Sequence, residues 1–405
     1  MPNFCHRHRD GLALFCLALL ALIVFWPLLF GGRAYFFGDL ELYFYPLGQF
    51  WHRELVQGRI PLWNPYLFGG VPFAGNPQKG LLYPPSALLA IFPAIPALML
   101  GAVLHLWGSA ALFFGWLRRG HPQLGAMAAL LGAMVWMLGG FFVSKTQFPN
   151  MLAALAWVPA ALWSAENLAR TPTLRRAVIL GAVLGLQLLA GHAQISLYTI
   201  YFAFIYALWQ WKTVPQRASF PKLAAFLGGA LVLAALLDAG QLLPVVENLR
   251  GVARQTLSIE TAPRFFLPPW ALSNLFAPYF YGNPSHGTWT GLGGGNFWET
   301  ACYVGIVPFG LALWGFRRAK FWCAVALASL LLALGPMGGL YLAAFSFVPG
   351  IARFHDAGRF LIGAAVAFAF AAALGVQGLR NGAKTRPLMP FLLLLSALDL
   401  GIFAR

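Results

Sequence analysis

Residues 223–243 read LAAFLGGALVLAALLDAGQLL. As a helix rising ~1.5 Å per residue, this run reaches about 30 Å, the thickness of a bilayer's hydrocarbon core. Its apolar positions show no period-two alternation, which argues against a barrel strand. A helix satisfies its own backbone N–H and C=O groups in lipid. Working outward, runs of this length or somewhat shorter occur near 11–30, 86–117, 123–143, 151–168, 177–191, 196–211, 302–316, 321–335, 359–379 and 388–403. The expected fold is therefore all-α, a polytopic integral membrane protein with about eleven transmembrane helices. Composition agrees: 60% of the 405 residues are hydrophobic and 9% are charged, against about 25% charged in an average soluble domain.

The first run follows the basic stretch His6-Arg7-His8-Arg9. It is longer than the apolar core of a usual secretory signal and no convincing A-x-A cleavage site follows, so it reads as a retained helix entered from the cytoplasm. Alternating from there, 16 of the 27 Lys and Arg fall in six short segments on the cytoplasmic side, as the positive-inside rule requires. The net charge of +16 is thus mainly topological. With no basic stripe, zinc finger or stacking motif beside it, it does not indicate nucleic-acid binding. Cys5, Cys16, Cys302 and Cys323 have no CxxC spacing, and neither a disulfide framework nor a zinc site is expected.

One membrane domain accounts for residues 1–405, and its long connections fall on the outer face, at about 31–85 and about 244–300. The first contains GDLELYFYPLGQFWHRELVQGRIPLWNPYLFGGVPFAGNPQKGLLYPP, residues 38–85. Pro46 can open a helix running to about Gln57, with Leu47, Phe50, Trp51 and Leu55 on one side and His52, Arg53, Glu54 and Gln57 on the other. That pattern suits an interfacial helix. Beyond Gly58, repeated prolines and glycines exclude any long regular element. Trp63, Tyr66, Phe68, Phe73 and Tyr83 then form a surface rich in flat rings, fit to anchor at headgroups or to hold sugar.

Several polar groups stand out against this apolar background. Asp39 and Glu41 follow the first span; in an extended backbone both would point the same way, whereas a helix separates them by about 200°. One carboxylate can accept a proton from an attacking hydroxyl while the other orients a partner or helps to hold a divalent cation. Solvated loop carboxylates are the plain alternative. Asp238 needs a partner or a wet cavity, with Gln241 or His192 as candidates. Gly191-His192-Ala193-Gln194 ends the fifth run, where His192 and Gln194 suit either substrate contact or helix packing. Arg353 and Arg359 lie where the charge rule does not require Arg, and guanidinium matches phosphate through paired N–H bonds. Ion pairing with Asp356 is the competing role. Arg250, Arg254 and Arg264, with Glu247 and Glu260, charge the start of the second loop. Its run Gly291-Leu-Gly-Gly-Gly-Asn296 has no Lys-Ser/Thr and no strand-to-helix context, so it reads as a flexible loop, not a phosphate loop.

Taken in order, GDLELYFYP, GRIPLWNPYLFGGVPFAGNPQ, LLYPP, GHAQ, the stretch from GQLLPVVENLR to LFAPYFYGNP, ETACYVGIVP and FHDAGRFL resemble the YfhO family of bacterial membrane proteins, within the glycosyltransferase C superfamily. The resemblance covers about residues 38–363. It implies a glycosyltransferase that takes a polyprenyl-phosphate-linked sugar as donor and works among membrane lipids on the extracytoplasmic face of the bacterial cytoplasmic membrane. It implies that Asp39, with Glu41 second, activates a glycan or envelope acceptor, and that Arg359 and Arg353 hold the donor's phosphate. Trp63, Asn64, Asn76 and Gln78 are further substrate contacts to be expected in the matching loop, beside His192, Gln194 and Asp238. Arg254 departs from the pattern, standing in Ala253-Arg254 where a Ser-x-Arg is expected. A transporter of lipid-linked glycans or solutes, and an inactive envelope-assembly protein, are the rival classes.

Overall fold

The computed structural model describes residues 2–36, 38–250, 258, 265–291, 296–380 and 385–405. Helices make up most of these, and the only paired strands among them are Trp63–Asn64 and Val71–Pro72, with Trp63 opposite Pro72. A helix lies on each of the apolar runs, but among the described residues five segments are long and apolar enough to cross a membrane: Ala94–Gly120, Ala126–Gln147, Phe220–Asn248, Ala357–Leu379 and Arg386–Ala404. The architecture fits an all-α membrane protein; the number of spans expected from sequence, eleven, is not established. For some of the runs length is the reason. Ile306–Phe316 has 11 residues and Lys320–Ala333 has 14, which at ~1.5 Å per residue fall short of a ~30 Å core. The run at 151–168 also divides, into Pro149–Ala156 and Val158–Arg170, because Pro159 has no N–H to give the carbonyl four residues back.

The chain forms two compact units. One holds residues 1–25, 110–144 and 256–405. Within it, Ile306–Phe316 and Leu361–Arg380 approach to backbone contact through glycine: a Cβ on Gly315 would lie 1.9 Å from the Ala371 carbonyl, and one on Gly375 2.0 Å from that of Leu311. Small residues at such crossings let helices gain dispersion where lipid offers no hydrophobic drive. Asp399 secures the start of Ile306–Phe316, accepting the Ile306 N–H at 2.8 Å and the Tyr303 hydroxyl.

The other unit holds residues 26–109 and 145–255. Its helix Leu174–Leu189 packs on Phe220–Arg250, where a Cβ on Gly181 would meet the Ala230 carbonyl at 2.8 Å. Buried polar groups are bonded across helices: Gln187 donates to the Ala154 carbonyl and to Thr199, and Tyr206 donates to the fully buried Glu166, which also pairs with Arg170. Phe220–Arg250 continues through Pro244, so the first residues of the stretch expected as the second outer connection, from about 244, are helical. A proline interrupts one backbone bond without ending a helix whose neighbouring turns remain paired.

Candidate functional site

The backbone around the first-loop carboxylates is helical. Gly38 takes φ +56°, its carbonyl accepts the Leu42 N–H at 2.9 Å, and Asp39 opens a π-helical turn, Leu40–Phe44, that runs into the helix Tyr45–Val56. Apolar spacing fixes this arrangement. Leu40 and Phe44 pack with Met99, while Leu47, Phe50 and Trp51 pack with Phe73. The helix that Pro46 and its amphipathic pattern predict is therefore present. The extended arrangement that would aim Asp39 and Glu41 at one point is not: a helical backbone sends them to roughly opposite sides. Asp39 is exposed, Glu41 is half-buried, and neither is in an ion pair among the described residues.

Three separate blocks of the sequence meet nearby. The Asn76 amide donates to the Tyr43 hydroxyl at 2.6 Å, and its oxygen accepts the Gln78 N–H at 3.2 Å, closing the turn Pro77–Lys79. Onto that turn sits Gly191 of the GHAQ block. With φ +83°, a Cβ there would fall 1.7 Å from the Pro77 carbonyl, a position only glycine can fill. Asn150 donates to the Gly191 carbonyl at 3.3 Å. Tyr43 of the first block, Asn76 to Lys79 of the second and Gly191 of the third thus form one assembly.

At its centre is Lys79, a residue sequence reasoning passed over. It is 8% exposed and lines a cavity of about 90 Å³, with Gln78, Ser86, His105 and Asn150 among its other walls. Its Nζ donates to the Phe44 carbonyl at 3.3 Å, and no carboxylate pairs with it among the described residues. Burial pushes the ammonium down to about 7. His105 is committed elsewhere. Its Nδ1 faces the Gly101 carbonyl at 2.6 Å, which only accepts, so Nδ1 carries the proton; in the neutral ring Nε2 accepts from Tyr83, whose oxygen takes the Trp157 N–H at 2.8 Å. The signal in the sequence is a cation in the proline-containing stretch NPQKG, on the side that the sequence reading takes as outer, where the charge rule demands none.

The other candidates divide between the units. His192 caps the helix Ala193–Thr213, its Nδ1 accepting the Ile195 N–H at 3.2 Å; Gln194 is buried against the Tyr198 hydroxyl. Asp238 is buried and meets Gln241 at 3.4 Å, one of the two partners expected of it. Trp63 is exposed with its ring over Gly70, and Asn64 is buried, accepting the Tyr66 N–H at 3.0 Å. All these share a unit with Asp39. Arg353 and Arg359 belong to the other. Arg359 is held by Asp356 at 2.7 Å and by the buried Glu299 at 3.3 Å, whereas Arg353 is exposed, with no ion pair among the described residues. Arg254, Arg264, Glu260 and Gly293 to Gly295 lie outside the described residues, as does the side chain of Arg250. No group of three His, Cys, Asp or Glu side chains fit to hold a metal occurs among the described residues.

No family model matches the sequence, and no curated protein matches it. Among solved structures, the Archaeoglobus fulgidus oligosaccharyltransferase in complex with zinc and sulfate is similar to 97% of this chain and 52% of its own, at 15% identity and a TM-score of 0.43. The chain thus spans about half the length of that structure. A likeness of this degree decides neither topology nor chemistry.

Proposed function

We propose that this chain is a membrane glycosyltransferase of the glycosyltransferase C kind, moving a sugar from a polyprenyl-phosphate-linked donor to an envelope acceptor at the extracytoplasmic face of the bacterial cytoplasmic membrane, with its N-terminus in the cytoplasm. The observation that carries the reading is the meeting of GDLELYFYP, NPQKG and GHAQ in one assembly through Tyr43, Asn76 and Gly191. Blocks that resemble a family in order, and that also touch in space, are what a common site requires. In the reaction, an acceptor hydroxyl oxygen attacks the anomeric carbon as the exposed Asp39 takes its proton. The bond from that carbon to the phosphate oxygen breaks, and its electrons leave with the polyprenyl phosphate. That leaving group is already anionic and needs charge stabilisation more than a proton.

Of the two arginines, Arg353 is exposed and in no ion pair among the described residues, whereas two carboxylates already balance the charge of Arg359. Glu41 supports Asp39 or helps to bind a divalent cation. Purified chain in lipid, given a radiolabelled polyprenyl-phosphate sugar and envelope extract, should transfer label. Asp39→Asn should abolish transfer with insertion and abundance unchanged, and normal turnover in that variant would sink the assignment. Movement of the donor between leaflets without transfer would identify a transporter, and neither outcome an inactive assembly protein.

A further inference from the structure

We infer that the Lys79 cavity is a phosphate subsite that takes the anionic head of an alkyl phosphate, with the alkyl chain running along its apolar wall; the inference rests on the transfer reading for the identity of the lipid. An ammonium buried without a carboxylate is costly, and proteins carry such a group where something else supplies the negative charge. Among the described residues the only bond of Lys79 Nζ is to one carbonyl, which leaves two of its three N–H donors uncommitted there, beside open space. The space is large enough for a group of several heavy atoms, since a single water needs only ~10–15 Å³ measured this way.

The walls are of two kinds. Gln78, Ser86 and Asn150 bring side chains that can donate to phosphate oxygens, while Leu89, Phe92 and Leu98 bring hydrocarbon. A free inorganic anion has no use for the second set, and a neutral lipid has none for the first. The remaining titratable group in the wall, His105, has both nitrogens engaged by Tyr83 and Gly101 and does not compete for the anion. The turn that presents Lys79 is fixed on one side by Asn76 and on the other by Gly191, so the charge is positioned before any ligand arrives.

The test uses the full chain in detergent with farnesyl phosphate, inorganic phosphate and farnesol as probes. Acylation of lysines, read by mass spectrometry, should be slowed at Lys79 by farnesyl phosphate, with little protection from farnesol. Protection by inorganic phosphate at equal concentration would assign the site to the free anion and overturn the alkyl part of the proposal. Lys79→Met should weaken farnesyl phosphate binding at least tenfold and Lys79→Arg should largely keep it. Protection read on the wild-type chain stands even if Lys79→Met fails to fold. Equal protection by farnesol, or unchanged affinity in a folded Lys79→Met, overturns the proposal. Asp39→Asn should bind like the wild type. A chain that binds farnesyl phosphate yet transfers nothing therefore contradicts the transfer reading alone, and one that transfers without Lys79-dependent binding contradicts this one alone.

Discussion

Arg359 and Lys79 are both cations set into largely buried surroundings, one in each compact unit, and the protein provides for them in opposite ways. Arg359 has Asp356 and Glu299 within ion-pair distance, so its charge is balanced before any ligand arrives. Lys79 has a single carbonyl and a cavity. A balanced cation is an anchor, and an unbalanced one is an invitation. The difference teaches that position on the outer face, the criterion by which the arginines drew notice, is a weaker guide to anion binding than the absence of an internal counter-charge.

The comparison breaks if the anchor can be removed without cost. Glu299→Gln combined with Asp356→Asn leaves Arg359 with neither carboxylate and should destabilise the unit by about 3–5 kcal/mol, the usual penalty for leaving a buried charge unpaired. Loss of monodisperse protein, or a marked fall in Tm in detergent, is the expected result. A Tm within a degree of wild type would instead leave Arg359 available to a phosphate.

Lys79 should behave in the reverse sense. Its folded-state value near 7 lies below the ordinary 10.5, so between those values the unfolded chain binds more protons than the folded one. Stability of the ligand-free protein therefore rises with pH from about 7 to about 10.5, by an amount on the order of a few kcal/mol, and below pH 7 the full penalty is present. Thermal unfolding at pH 6 to 9 should show Lys79→Met more stable than wild type at pH 6, with the gap closing as pH rises. Farnesyl phosphate should close the same gap at pH 6 by supplying the missing charge. A gap that does not change with pH would mean that Lys79 is not charged and buried in the way its surroundings imply.

Much of this was legible beforehand, for identifiable reasons. The helical character of the apolar runs and the amphipathic helix after Pro46 follow from periodicity, which a packed core enforces residue by residue. The number of spans did not, because hydropathy measures how apolar a run is while crossing a bilayer also demands length, and Ile306–Phe316 shows how far the two can part. The direction of Asp39 and Glu41 depended on whether their backbone was extended or helical, and that was decided by the burial of Leu40 and Phe44 against Met99, a contact remote in sequence. Lys79 escaped notice because its burial is tertiary: nothing in NPQKG says that GHAQ will close over it.

Two glycines sharpen the contrast between the units. Gly315→Ala places a methyl group 1.9 Å from the Ala371 carbonyl, and Gly191→Ala one 1.7 Å from that of Pro77. Forcing such contacts typically costs about 1–3 kcal/mol. In the first unit the cost should appear as lost stability alone, because a helix crossing is parted. In the second it should also displace the turn carrying Asn76 and Lys79. Gly191→Ala should therefore lower farnesyl phosphate affinity where Gly315→Ala, compared at equal folded fraction, does not. Equal losses of affinity in both would mean that binding follows overall stability and not the geometry of the turn.

The smallest expected effect isolates a single bond. Tyr43→Phe removes the hydroxyl that accepts from Asn76 and leaves the ring packing of the first block in place. A neutral hydrogen bond contributes about 1 kcal/mol net, so affinity for farnesyl phosphate should fall by about fivefold at most, with Tm nearly unchanged. Asn76→Ala removes that bond and also the acceptor that closes the turn on Gln78 N–H, and should cost more. If Tyr43→Phe matched Asn76→Ala in every measurement, the turn would be held from the first block alone. If Tyr43→Phe were silent while Asn76→Ala was not, the turn would be closed locally, and the contact between GDLELYFYP and NPQKG would be adjacency without mechanical consequence.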